Sequence, residues 1–147
     1  MSQTQDPAPA EETAPYVQRH LRFGWWSVVV FMLLGLVLEG MHGFKLGLYL
    51  DLANETRRFM WTLAHTHGAV LGLLNVAFAA TLTLIPGLRG RLLRQGSVCL
   101  IAGSLLLPIA FFLGGAGFYG GDPGPGIILA PLGGGILILG AALVAWS

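Results

Sequence analysis

Charge is scarce in this sequence: 10% of its 147 residues are Asp, Glu, Lys or Arg and 54% are apolar, where soluble domains average roughly 25% charged. The net charge is only +1 and the basic residues sit beside apolar segments, so there is no electrostatic footprint for nucleic acid. Cysteine is nearly absent. The single Cys99 excludes an internal disulfide and a paired-thiol ligand set, and its surroundings suit a small apolar packing residue. No serine or cysteine is set beside a histidine as an activated nucleophile, and no glycine-rich loop with a lysine follows a strand. Hydrolase and nucleotide-binding chemistry are therefore disfavoured, and the chain is expected to have no catalytic machinery of its own.

What it does have is long uncharged runs. Between Arg22 and Lys45 the only formal charge is Glu39, and residues 59–88, 95–121 and everything after Asp122 carry none. Each interval supplies the roughly 20 apolar residues needed to cross a bilayer core. The pattern predicts an all-α polytopic membrane protein, four transmembrane helices in a bundle, near 23–42, 59–85, 97–119 and 126–146. Residues 1–18 are acidic, proline-bearing and poor in large aliphatics, so they read as a disordered tail before a transmembrane domain over 19–147. That polar start has none of the features of a cleavable signal peptide, and the first helix is expected to serve as an uncleaved anchor.

The basic residues set the expected orientation. Arg19 and Arg22 precede the first helix and Arg89, Arg91 and Arg94 follow the second, against Lys45, Arg57 and Arg58 between the first and second. Keeping the larger group inside places both termini in the cytoplasm of a bacterial inner membrane. Trp25, Trp26 and Trp146 would then form the inner aromatic belt, with Tyr49, Trp61 and Tyr119 near the outer surface or between helices. Asn54 is a candidate cap for the second helix, and Pro86-Gly87 a breaker after it. Glycines and alanines crowd the last two helices, and spacings such as Gly126, Ala130, Gly134 permit close backbone approach. This serves tight packing within the bundle or a seam to a second copy, so a homo-oligomer or other membrane subunits stay open as partners. Pro108 and Pro131 are expected to kink their helices.

Four polar residues stand out inside the apolar runs: Glu39, His42, His65 and His67. A charge at the centre of a membrane helix costs at least about 2.5 kcal/mol, so such residues mark candidate sites. Glu39 and His42 are three apart and share a face. His65 and His67, two apart, point about 200° away from each other. His65 shares its stripe with Gly68, Gly72 and Asn75, a small and polar face; His67 lies with Leu71, Leu74 and Phe78. One arrangement joins the first two helices through a cluster in which a histidine is ligand or proton carrier and Glu39 orients an imidazole, with Asn75 in support. Another is a polar clasp in which Glu39 pairs with Arg57, Arg58 or a histidine. His20, in the basic segment QRHLR, reads as a solvated interfacial residue.

The stretch LAHTHGAVLGLLNVAF resembles the second helix of the catalytic subunit of haem-copper oxidases and the related nitric oxide reductases, where a histidine near the outer side binds the low-spin haem. His65-Thr66 matches one register of that pattern and His67-Gly68 the other. The resemblance implies a haem b ligand at His65 or His67, with a second ligand from His42, the other helix-two histidine or another subunit. The later helices that complete an oxidase are missing. The chain is also similar to small bacterial four-helix membrane proteins with a comparable histidine helix, a kinship that assigns no activity. The leading expectation is a membrane protein whose Glu/His cluster binds haem b or a metal in a redox or accessory role; the alternatives are a structural or assembly subunit and a small proton-linked transporter.

A topological test follows. A reporter fused after Ser147 should be cytoplasmic and one inserted at 121–126 should face outward; the reverse labelling would invert the orientation while leaving the four spans intact.

Overall fold

A computed structural model describes residues 9–51, 55–85 and 87–147. Its helices are α1 (Pro9–Gly43), α2 (Thr56–Leu84), α3 (Arg91–Ala116) and α4 (Leu129–Ala145). All four are long and apolar enough to cross a membrane. They pack as an all-α four-helix bundle in sequence order: α1 lies along α2, α2 along α3 and α3 along α4, while α1 reaches α3 only through its first turns. The expected Asn54 cap, the Pro86 breaker and residues 1–8 of the expected tail lie outside the described residues.

α1 starts well before the expected boundary, so residues 9–18 are helical, not an unfolded tail. The reason is a surface that local composition does not reveal. Tyr16 and Val17 pack against the cluster of Phe78, Leu82, Leu93 and Leu100 from α2 and α3, which repays the ordering of that extra segment. At its other end α1 closes with a Schellman turn. Lys45 takes a left-handed φ of 53°, and the amides of Lys45 and Leu46 reach back to the carbonyls of His42 and Met41 at 3.1 and 3.0 Å.

α3 and α4 form an antiparallel pair held by small residues every seven positions. Gly96 and Gly103 on α3 face Gly140 and Gly133 on α4, and Gly126 in the turn before it packs on Leu113 and Gly114. A Cβ at Gly103 would come within 2.8 Å of the Leu137 backbone nitrogen, and one at Gly133 within 2.9 Å of that of Leu107. The expected four-residue seam through Ala130 and Gly134 is not the one these helices use: nothing lies within 4 Å of a Cβ at Gly134. A seven-residue spacing keeps contacts on one stripe over a longer pair of helices than a single four-residue step does. Pro131 falls in the first turn of α4, where amides lack intrahelical acceptors, so the freed carbonyl expected of a kink does not arise there. Pro108 is inside α3 and buried.

The α3–α4 connection is a minimal hairpin, β1 (Phe118–Tyr119) against β2 (Asp122–Pro123), with Phe118 opposite Pro123 and Tyr119 opposite Asp122. Gly120 and Gly121 form its two-residue loop at φ 55° and 96°, angles that glycine adopts without penalty. A 3-10 turn over Pro125–Ile128 leads into α4. The hairpin closes onto α2 through a hydrogen bond from Thr56 to the Gly121 carbonyl. Arg57 bonds the carbonyls of Gly115 and Leu48 at 3.1 and 2.9 Å, tying both connectors at this end to the start of α2.

The seam makes a paired prediction. Gly134→Ala should leave the thermal melting of the detergent-solubilised protein unchanged or raise it, since alanine favours helix by about 0.5–1 kcal/mol over glycine. Gly133→Ala should lower it, because the added methyl meets α3 backbone. Equal effects would mean that α3 and α4 do not approach along this stripe.

Candidate functional site

One face of α1 steps through His20, Gly24, Ser27, Phe31, Gly35 and Leu38 by threes and fours, and it meets the His65, Gly68, Gly72, Asn75 face of α2. Gly24 and Gly72 let the two backbones touch, each having the other's carbonyl within 3 Å of a would-be Cβ. Ser27 donates to the Gly68 carbonyl at 3.0 Å. At Gly35 the missing side chain makes room for an imidazole: a Cβ there would overlap the His65 ring. His65 Nδ1 donates to the Phe31 carbonyl at 2.6 Å. That bond fixes the tautomer, so Nε2 carries the lone pair. Nε2 makes no hydrogen bond within the described residues, and none of their buried polar side-chain atoms lacks a partner. Nε2 is therefore open to its surroundings.

Those surroundings are a cavity of about 440 Å³ that His65 lines together with Glu39, His42, Tyr49 and Thr62. The Tyr49 hydroxyl and Thr62 Oγ1 are 3.4 Å apart, and the His42 ring stands edge-on to Tyr49 at 6.5 Å between centroids. Met32 and Leu36, also on the wall, are exposed on the outside of α1, so the cavity opens laterally. Glu39 and His42 are themselves exposed. The grouping expected of Glu39, His42 and His65 thus exists, but as the wall of an open cavity and not as a buried cluster. Glu39 lies one turn from the end of α1, near enough to reach the interface, which relieves the cost that would have driven it into a buried pair.

The expected clasp of Glu39 to an arginine is not formed. Arg58 pairs with Glu55 at 2.6 Å, Arg57 is taken up by backbone carbonyls and the Trp61 face, and Glu39 makes no hydrogen bond or ion pair among the described residues. His67 points away, as its position two residues on requires. Its ring packs on Phe111 of α3 at 4.8 Å, and its Nδ1 donates to the Leu63 carbonyl of its own helix at 2.9 Å. Among the described residues no three His, Cys, Asp or Glu side chains gather as a metal cage.

Asn75 lies elsewhere, with His20 of the basic segment QRHLR. His20 is fully buried; its Nδ1 lies 2.7 Å from Asn75 Oδ1 and its Nε2 2.7 Å from Ser97 Oγ. Asn75 Nδ2 donates to Ser104 Oγ at 2.9 Å and to the Leu71 carbonyl at 2.8 Å, and Arg19 donates to Ser97. Directions follow from the inventory of donors. Asn75 offers its oxygen to His20, so Nδ1 carries the proton. Ser97 accepts from Arg19, so its own hydrogen is free for Nε2. The result is a one-way chain, Arg19 to Ser97 to His20 to Asn75 to Ser104, that joins three helices around a neutral imidazole. The edge-on ring of Phe78, 4.6 Å away, seals it. His20 is therefore no solvated residue. The readable signal was Asn75 on an apolar helix together with Ser97 and Ser104 seven apart on the next, three polar groups that each need a partner in lipid.

No protein-family model, curated protein or solved structure matches this chain.

His20→Leu should strand Asn75 Oδ1 and the Ser97 hydroxyl, at about 1–3 kcal/mol for each buried group left unpaired. Unfolding in mixed micelles should show a clear loss of stability for His20→Leu and a loss under about 1 kcal/mol for His67→Leu, whose bond stays within its own helix. Comparable losses would mean that the His20 chain does not hold the helices together.

Proposed function

We propose that this is a bacterial inner-membrane protein, both termini cytoplasmic, whose α1–α2 cavity binds haem b through His65 Nε2, serving a redox or accessory role without catalytic chemistry of its own. What carries the reading is the His65 geometry. Its Nδ1 is anchored on a backbone carbonyl of the neighbouring helix and its Nε2 is left free on a cavity, the disposition by which proteins orient a metal-ligating imidazole and raise its basicity. Haem asks for one or two axial nitrogens and an apolar slot, which suits this wall better than a bare metal ion needing several protein donors. The lateral opening past Met32 and Leu36 gives a macrocycle room beyond the cavity itself. His42, which also lines the cavity, would be the in-chain source of a second nitrogen donor, and Glu39 would supply a polar group at the cavity's edge. The helix-two resemblance points the same way, in its His65-Thr66 register.

The test is the absorption spectrum of protein purified from a haem-sufficient host, oxidised and dithionite-reduced. The wild type should show a reduced cytochrome b spectrum; His65→Leu should abolish it, and Gly35→Val, which removes no ligand, should diminish or shift it by displacing the ring. His67→Leu should retain it. A wild type without haem, or a spectrum indifferent to His65→Leu, would sink this reading in favour of a structural or assembly subunit.

A further inference from the structure

At the other end of the molecule a second cavity, of about 560 Å³, lies between the start of α1 and the α2–α3 turn; Glu12, Tyr16, Arg89, Arg91, Arg94 and Gln95 line it. It holds three guanidiniums within six positions of sequence and one carboxylate. Arg89, Arg91 and Arg94 are exposed and, among the described residues, none of their side chains makes an ion pair or hydrogen bond. A concentration of unspent arginine around a cavity is an anion site looking for its anion, since guanidinium forks match phosphate oxygens two at a time. Gly90, which precedes α3, supplies no side-chain cap, so the helix's first amides add to the same field.

Depth in the membrane narrows the ligand. α3 has 26 residues and is therefore about 39 Å long, whereas the hydrocarbon core is about 30 Å thick and the bilayer with its headgroups about 40–45 Å. Its first turn, with Arg91 and Arg94, then stands at the level of lipid phosphates. Trp146, largely exposed, follows the last turn of α4 at this end of the bundle, where Val144 packs on Gly96, as aromatic residues do at an interface. We propose that the cavity is a phosphate-binding site that takes the headgroup of an anionic phospholipid, its arginines gripping the phosphate and Tyr16 and Gln95 contacting the remaining headgroup oxygens. The lipid ties the start of α1 to the α2–α3 turn, the two segments the cavity separates.

The experiment is a thermal-shift titration of the full chain in a non-ionic detergent with short-chain phosphatidylglycerol, phosphatidylcholine of equal chain length, and inorganic phosphate. Phosphatidylglycerol should raise the melting temperature saturably, and the other two should do so much less. Arg89→Lys/Arg91→Lys/Arg94→Lys, which keeps charge and insertion signals but loses the forks, should weaken binding; the corresponding triple glutamine variant should lose it. Glu12→Gln should tighten binding about two- to fivefold, the size expected for removing one exposed like-signed charge from the ligand's surroundings, a gain that misfolding does not produce. An equal shift with inorganic phosphate would assign the site to a free anion and overturn the lipid assignment. Equal shifts with both lipids, or no difference between wild type and the arginine variants, would overturn the site.

Discussion

Apolar side chains gain little by meeting one another in a bilayer, because lipid tails are as apolar as leucine. Hydrogen bonding has to fix what packing alone leaves free to slide, and here one chain does so: Arg19, Ser97, His20, Asn75 and Ser104 lock α1, α2 and α3 to one another across two turns of α3. Asn75 is its hub, with its oxygen spent on His20 and its nitrogen on Ser104 and the Leu71 carbonyl. A network in which every member is satisfied specifies one arrangement; one missing member would leave a buried group costlier than no network at all. The cavity end depends on it. His65 meets Phe31 and Gly35 about three to four turns along α1 from His20, roughly 16–22 Å at the helical rise, and a slip of one residue would turn both away.

Glycine then does two different jobs. Along Gly24 and Gly72, and along the seven-residue seam of α3 and α4, it lets backbones approach to distances no side chain allows. At Gly35 it leaves a space the size of an imidazole. The first use is structural and repeats; the second occurs where a histidine needs both a backbone acceptor and an open nitrogen. The same residue type thus builds the bundle and shapes its cavity, and composition alone does not separate the two.

This is also where reading the sequence succeeds and stops. Uncharged runs bounded by Arg22, Lys45, Arg58 and Arg89 announce four helices, because the cost of burying charge in lipid is local and additive. The opposed faces of His65 and His67 follow from helix geometry, and the grouping of Glu39 and His42 from their spacing. Interactions set by distant residues are different. QRHLR looks like a membrane flank, and only the folded chain brings Asn75 and Ser97, 55 and 77 positions away, onto His20. The early start of α1 has the same origin, since Tyr16 and Val17 are held by α2 and α3. Asn75 shares a stripe with His65 and reads as support for that cluster, but its side-chain partners, His20 and Ser104, lie toward the arginine-rich end of the molecule and not at the cavity.

The four histidines are best sorted by what each ring has left to give. His20 has spent both nitrogens and is sealed by Phe78, so it serves the fold. His67 has bonded its own helix and lies against Phe111, which costs nothing to the neighbouring helices and offers them little. His42 is exposed on a cavity wall, able to answer whatever enters. His65 alone among the four joins a fixed tautomer, supplied by another helix, to a free nitrogen on a cavity. An imidazole held only to secure two helices would gain by bonding at both nitrogens, as His20 does. Leaving one nitrogen open on a cavity wall, in a segment that crosses lipid, forgoes that gain.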